Sequence, residues 1–161
     1  LLALAVGSCL LAQLWLEFWH GTSLAAAMPG PPPPRAKRYA LLIDSDVHGP
    51  PNWSPAMAAV QGTGKLVSTS VLLAKGSPQS EDADWLERLA ALGISARIVP
   101  ANDGSFEMVA EAAELIMAGK ADAIALAVKG GDFDFLSGKI RDAVVAFKND
   151  PKFKFEILEI G

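Results

Sequence analysis

The chain has 161 residues, of which 51% are hydrophobic, 20% charged and 7% aromatic, and its formal net charge is -4. This composition predicts a compact globular domain and excludes a disordered or collagen-like chain, while the acidic balance means that any contact with nucleic-acid phosphates has to be local. One cysteine, Cys9, and two histidines, His20 and His48, exclude an internal disulfide and leave too few ligands for a structural zinc site.

The first 34 residues differ from the rest of the chain, because Glu17 is the one charged residue among them. Residues 1–16 are almost wholly apolar, yet they are shorter than the roughly 20 residues that span a bilayer. Two interpretations of residues 1–27 stay open. A retained signal or anchor would make the protein membrane-associated or organellar, with membrane contact expected only through residues 1–18. A transit-like or untranslated leader before Met28 would leave a cytoplasmic protein.

A proline-rich linker separates this apolar segment from the remaining sequence. Residues 28–38 include four consecutive prolines, and such a run favours an extended spacer that cannot join a packed core. Residues 39–161 are therefore predicted to form the folded domain.

Strand and helix patterns alternate along this domain. Short apolar runs such as residues 39–43 and 123–128 are typical of strands buried on both faces, and Gly93 and Gly119 follow helical patterns as C-terminal stops. We predict strands at 39–43, 66–73, 94–99, 123–128 and 153–160, and helices at 55–60, 81–92, 106–118 and 135–148. Five alternating units with short connections predict an α/β fold, a three-layer α/β/α sandwich with a mostly parallel five-stranded sheet.

Four aspartates follow two of the predicted strands. Asp44 and Asp46 come after the first strand, and Asp132 and Asp134 come after the fourth. If these strands are neighbours, the carboxylates meet in one crevice at the carboxyl edge of the sheet and repel one another unless a cation is present. Hard divalent ions such as Mg²⁺ and Mn²⁺ are held in this way. Aspartate is also a common cap and turn residue, which is the structural alternative.

Three further residues are candidates for the same crevice. Glu111 shares a helix face with two other glutamates, which favours a solvated face but leaves Glu111 able to reach the crevice. Trp53 is a candidate to stack on a base of single-stranded nucleic acid, although a tryptophan more often covers the core. Lys129, which follows the fourth strand, is a candidate substrate-binding residue.

The order of these segments resembles the NYN domain in its LabA-like branch, a PIN-like ribonuclease fold, over most of residues 38–145. Residues 43–47, I-D-S-D-V, resemble the family phrase I-D-x-x-N. Residues 89–100, L-A-A-L-G-I-S-A-R-I-V-P, fit L-x-x-x-G-I-x-x-x-x-x-P, and residues 130–136, G-G-D-F-D-F-L, resemble G-D-S-D-F-x-P-L. The order and spacing of the three phrases together carry the resemblance.

The sequence departs from the family pattern at three positions. Val47 stands where the family has asparagine, and Ser105 stands near the family's acid at the start of the third helix. At the fourth strand, one register keeps Asp132 and Asp134 as the acidic pair. The preferred ungapped register puts Gly130 in place of the first acid. The resemblance therefore implies either an intact metal site or a degenerate one.

The resemblance implies metal-dependent hydrolysis of RNA phosphodiesters by an endoribonuclease that uses Mg²⁺ or Mn²⁺. Single-stranded RNA would be its partner, without sequence recognition of DNA. Asp44 and Asp132 would be the catalytic residues. The metal ligands would be Asp44, Asp46, Asp132, Asp134 and Glu111.

Two other functions stay open at this point. A non-catalytic RNA- or protein-binding module could use the same crevice, and the three departures favour it. A phosphatase of the haloacid dehalogenase type is the second alternative, because Asp44-x-Asp46 after a strand resembles that family's pair of nucleophile and acid.

Overall fold

The computed structural model describes residues 34–46, 49–100 and 103–161. Residues Ala36–Gly161 form a compact unit. The predicted apolar segment, 1–27, and most of the predicted linker lie outside the described residues. Within the described ranges, no helix is both long and apolar enough to cross a membrane.

The domain is an α/β sandwich with five parallel strands, as predicted. The strands are β1 (Arg38–Asp44), β2 (Lys65–Ala74), β3 (Ile94–Val99), β4 (Ala123–Ala127) and β5 (Glu156–Glu159). The helices are α1 (Trp53–Thr63), α2 (Pro78–Glu81), α3 (Ala83–Ala91), α4 (Gly104–Met117) and α5 (Gly130–Lys148), and a short 3-10 turn covers Pro50–Asn52.

The strand order β3-β2-β1-β4-β5 places β1 at the centre of the sheet. Ile43 of β1 pairs with Val71 of β2 on one side and with Ala127 of β4 on the other. The chain leaves β1 towards one edge of the sheet and returns to build the other half from β4, so the strand order reverses between β1 and β4. Crevices form at such a reversal, outside the carboxyl ends of the strands.

Two apolar cores lie on the two faces of the sheet because alternate side chains of a strand point to opposite faces. Ala40 and Leu42 of β1 pack in one core, which α4 and α5 cover. Leu41 and Ile43 pack in the other core, which α1 and α3 cover. This arrangement is the three-layer sandwich that the apolar runs predicted.

Some predicted element boundaries were wrong. Helix α5 begins at Gly130, five residues before the predicted start at 135. Asp132 lies in the first turn of this helix, where its negative charge interacts favourably with the positive end of the helix dipole. Strand β5 is confined to Glu156–Glu159 rather than 153–160. The predicted helix at 81–92 is divided at Asp82, whose side chain accepts a hydrogen bond of 3.0 Å from the Trp85 N–H.

The start of β1 also lies earlier than predicted, at Arg38 instead of residue 39. Ion pairing stabilises this first residue, because the Arg38 guanidinium donates to Asp122 Oδ1 over 2.8 Å. At the same amino edge, Lys37 forms an ion pair with Glu156, and the Tyr39 hydroxyl donates to Glu156 Oε1 over 3.0 Å. The hydrogen bonds from Lys37 and then Tyr39 hold the pKa of the Glu156 carboxyl below its ordinary value. These contacts tie β5 to the central strand.

Gly62, near the end of α1, and Gly64, directly after α1, are predicted to respond oppositely to substitution by alanine. A Cβ at Gly64 would lie 2.6 Å from the Lys37 carbonyl oxygen and 2.7 Å from Tyr39 Cε2, whereas a Cβ at Gly62 would meet nothing within 4 Å. We expect Gly64→Ala to lower the free energy of unfolding by about 1–3 kcal/mol through overpacking. We expect Gly62→Ala, inside α1, to raise it by about 0.5–1 kcal/mol.

Urea denaturation of the two variants beside the wild type measures both effects. Equal midpoints for Gly62→Ala and Gly64→Ala would contradict the close approach of β1 to Gly64.

Candidate functional site

Asp44 is the last residue of β1 and lies at the carboxyl edge of the central strand. By strand alternation its side chain is on the same face as that of Leu42, the face covered by α4 and α5. The Asp46 N–H donates a hydrogen bond of 3.0 Å to Asp44 Oδ1, and the Ser45 N–H donates to the Leu72 carbonyl over 3.2 Å. The turn after β1 is therefore fixed both to the Asp44 side chain and to the end of β2.

A cavity of about 160 Å³ opens at this edge. Its polar wall includes Asp44 and Asp46, and its apolar floor includes Leu72, Met108 and Leu136 from the core beneath. Its lining residues are Asp44, Asp46, Leu72, Ala74, Val99, Pro100, Gly104, Ser105, Met108 and Leu136. Asp44 is half-buried and Asp46 is exposed. The Asp44 carboxylate is therefore the more shielded of the two, and its interaction with a ligand charge should be stronger than that of an open surface carboxylate.

The first turn of α4 forms another wall of this cavity through Gly104 and Ser105. The first N–H groups of a helix have no partner within the helix, and they carry the positive end of the helix dipole. The cavity thus places two carboxylates close to a region that favours anions. This combination suits a cation and an anion bound together better than either one alone.

Ser105 is one of the three positions at which the sequence departs from the NYN pattern. The structure places it in the wall of the same cavity as Asp44. An acid at this position would therefore face the same cavity. Its absence leaves Asp44 and Asp46 as the carboxylates among the cavity's lining residues.

Asp132 and Asp134 lie at the same edge as Asp44, because β1 and β4 are adjacent and parallel, as predicted. Both are exposed, in the first turns of α5, and neither lines the cavity. Among the described residues, no group of three or more His, Cys, Asp or Glu side chains is placed to hold a metal ion. Joint binding of one ion by Asp44 and Asp132 stays a prediction.

Glu111 lies two turns into α4 and faces the sheet rather than the cavity. Its Oε1 accepts a hydrogen bond of 2.5 Å from the Ser70 hydroxyl, and its Oε2 accepts one of 3.2 Å from Arg97. Arg97 also binds Glu107 over 3.2 Å. These bonds join α4 to β2 and β3, and they hold the helix whose first turn lines the cavity.

Trp53 and Lys129, the two predicted substrate-binding residues, lie in different surroundings. Trp53 is only 4% exposed and belongs to the core on the opposite face of the sheet, where its ring centroid is 5.4 Å from that of Trp85. The structure therefore does not bring Trp53 to the Asp44 cavity. Lys129 is exposed at the carboxyl edge, directly before α5, so its predicted role stays open to test.

Two aromatic residues beside the cavity were missed by the sequence analysis. Phe106 follows Ser105 in α4 and is 74% exposed, and Phe135 precedes Leu136 in α5 and is 59% exposed. The sequence pattern predicts each of them only as a residue of a helix. The sequence pattern that could have indicated their exposure is the position of each phenylalanine beside the apolar stripe of its helix rather than within it.

The fold and this site define an α/β three-layer domain with a small acidic cavity where its sheet reverses order. No protein-family model matches the chain, and no curated protein sequence matches it. The resemblance to the NYN domain accordingly depends on the three sequence phrases alone.

Proposed function

We propose that the protein hydrolyses RNA phosphodiesters with Mg²⁺ or Mn²⁺ at the Asp44 cavity. The observation that carries this proposal is the joint placement of Asp44 and Asp46 in one cavity at the carboxyl edge of the central strand. The motifs shared with NYN domains support the choice of RNA as substrate. The finer assignment of Asp132 and Asp134 as further ligands belongs to the same proposal.

The residues present fit a magnesium-type ion. Mg²⁺ is usually bound by one or two carboxylates together with water and substrate phosphate, so Asp44 and Asp46 are a sufficient protein contribution. When bound, such an ion activates water and neutralises negative charge on the phosphate. Among the described residues of the lining, the polar side-chain atoms are oxygens, which favours a hard ion over zinc.

The protein's own groups would orient the substrate around these carboxylates. The Asp46 N–H holds the Asp44 carboxylate in one orientation, which reduces the reorganisation needed when a ligand enters. The first-turn N–H groups of α4, at Gly104 and Ser105, would attract a phosphate oxygen. The apolar floor formed by Leu72, Met108 and Leu136 excludes water from below.

A non-catalytic RNA-binding module is the second candidate, and one observation favours it. In the described part of the chain, no cluster of three acidic or other metal-binding side chains occurs. Two carboxylates can hold an ion through a bound phosphate and still leave hydrolysis slow. The same cavity would then bind RNA without cutting it.

Incubation of the purified full chain with single-stranded RNA separates these functions. We expect cleavage with Mn²⁺ or Mg²⁺ and complete arrest by a chelator, because without a metal ion the two carboxylates repel the phosphate that has to enter the cavity. RNA binding without cleavage would replace the proposal with the binding module. Release of phosphate from small monoesters, with no RNA cleavage, would instead indicate a phosphatase that forms a phospho-aspartate at Asp44.

A further inference from the structure

Two exposed phenylalanine rings lie next to the cavity on two different helices. Phe106 is 74% exposed and Phe135 is 59% exposed, although a phenylalanine in a globular protein is usually buried. The chain neighbour of Phe106, Ser105, and that of Phe135, Leu136, both line the cavity. Each ring is therefore an exposed side chain one residue along its helix from the cavity lining.

The topology explains why two separate helices bring aromatic residues to one place. Helices α4 and α5 each follow a parallel strand and pack on the same face of the sheet, so both begin at the carboxyl edge. They also contact one another along their lengths. The first turn of α4 and the second turn of α5 consequently flank the cavity that Asp44 lines.

We propose that Phe106 and Phe135 are stacking platforms for bases of a single-stranded nucleic acid whose backbone phosphate enters the Asp44 cavity. This inference rests on the proposed function for the identity of the polymer. Every base has a flat face that stacks on an aromatic ring, and two rings on either side of a phosphate site match the alternation of base and phosphate along a strand. Double-stranded nucleic acid does not offer its bases in this way.

Exposed lysines near the rings offer contacts to a polyanion that an apolar protein surface would not use, although Asp103, Asp132 and Asp134 are exposed in the same region. The Lys139 ammonium lies 5.7 Å from the centroid of the Phe135 ring. Lys75 and Lys129 are exposed just beyond the ends of β2 and β4, on either side of Asp44 in the sheet. Within the described ranges none of these three lysines forms an ion pair with a carboxylate, so their charges are available to phosphates on the flanking nucleotides.

Stacking on two rings beside a phosphate site predicts how the protein selects among nucleic acids. Stacking on a ring depends little on which base is present, and the phosphate contacts carry no sequence information. The protein should therefore prefer single strands over duplexes strongly and one sequence over another weakly.

Fluorescence anisotropy with labelled single-stranded RNA at low salt, with Ca²⁺ in place of Mg²⁺ and Mn²⁺, keeps a cation for the cavity and tests the stacking separately from cleavage. We expect Phe106→Ala and Phe135→Ala each to weaken affinity about tenfold, the effect of losing one stacked base. Phe106→Trp should retain wild-type affinity. Phe147→Ala is the matched control, because Phe147 is 72% exposed on α5 but lies at its far end, away from the cavity.

An oligonucleotide without bases provides a second comparison with no change to the protein. This oligonucleotide should bind the wild type as weakly as ordinary RNA binds the double variant Phe106→Ala, Phe135→Ala. The proposal is overturned if it binds the wild type as well as ordinary RNA does, or if Phe106→Ala and Phe147→Ala behave alike. It is also overturned if the two alanine substitutions shift the sedimentation of the protein from dimer to monomer, since the rings would then serve self-association.

The outcomes for stacking and for hydrolysis are distinguishable. Ring-dependent binding without metal-dependent cleavage would remove the proposed hydrolysis and keep the stacking surface. Metal-dependent cleavage with affinity indifferent to both rings would keep the hydrolysis and remove the stacking surface.

Discussion

Replacing Asp44 with asparagine is expected to reduce metal-dependent RNA cleavage by about 100-fold or more. Outer-shell partners of metal ligands already contribute about 10–100-fold, and loss of a ligand carboxylate is expected to cost at least as much. Asparagine has the same shape, and its Oδ1 can still accept the hydrogen bond from the Asp46 N–H. The change therefore removes the charge and retains the turn after β1. Initial rates of RNA cleavage at saturating Mn²⁺ measure the effect.

Asp150→Asn is the matched control for this substitution. Asp150 Oδ1 accepts a hydrogen bond of 2.9 Å from the Lys152 N–H, the same type of turn as at Asp44. Asp150 follows the end of α5 and so lies at the opposite edge of the sheet. We expect cleavage by Asp150→Asn to equal that of the wild type, because the two variants share the loss of one carboxylate in a turn and differ only in the edge at which it lies.

The contribution of Asp132 is expected to be smaller. Asp132 is exposed in the first turn of α5 and does not line the cavity, so Asp132→Asn should reduce cleavage about tenfold through weaker attraction of the ion. The double variant Asp44→Asn, Asp132→Asn should be inactive. Cleavage that survives in the double variant would remove this site from the proposal even if the protein is a ribonuclease.

The sheet could be predicted from sequence because its signals are local and strong. The apolar run of β4 and the apolar residues of β1 that precede Asp44 are typical of strands buried between two helical layers. A helix between successive strands returns the chain to the same edge of the sheet, which makes the strands parallel. The adjacency of β1 and β4 brought Asp44 and Asp132 to one edge, as the sequence implied. These features depend on hydrophobic pattern and connection length, both of which are visible in a single sequence.

The environments of individual side chains were much harder to predict. Trp53 packs against Trp85, and this contact depends on how two helices meet on the far face of the sheet. Glu111 is held by Ser70 and Arg97, from two other strands. Nothing local to residues 53 or 111 indicates these partners, because they are set by tertiary packing.

The start of α5 illustrates a third kind of difficulty. Two consecutive glycines, Gly130 and Gly131, have low helix propensity, so the sequence predicts a helix that begins only after them. Burial of Leu136, Ile140 and Val144 along one face of α5 stabilises the helix enough to include them. Tertiary packing therefore outweighs propensity here, and it moves Asp132 from a predicted loop into a helical turn.

Replacing Leu42 with alanine is expected to lower the free energy of unfolding by about 2–5 kcal/mol. Leu42 is completely buried in the centre of β1, within the core that α4 and α5 cover, and the truncation leaves a cavity in addition to the lost apolar burial. This is a large part of the roughly 5–15 kcal/mol that stabilises a typical domain. Equilibrium urea denaturation measures the loss of stability. The slope of the transition should be the same in both proteins, so that a lower midpoint reports a lower free energy of unfolding.

Leu92→Ala is the control with the same chemical change on the surface. Leu92 is 69% exposed after α3, so its truncation should change the free energy of unfolding by no more than about 0.5 kcal/mol. Leu42 shares its core with Leu72, Met108 and Leu136, which form the floor of the acidic cavity. If the two leucine variants unfold at the same urea concentration, the floor beneath Asp44 is not packed as described. The case for a packed apolar floor under the half-buried Asp44 would then fail together with the stability prediction.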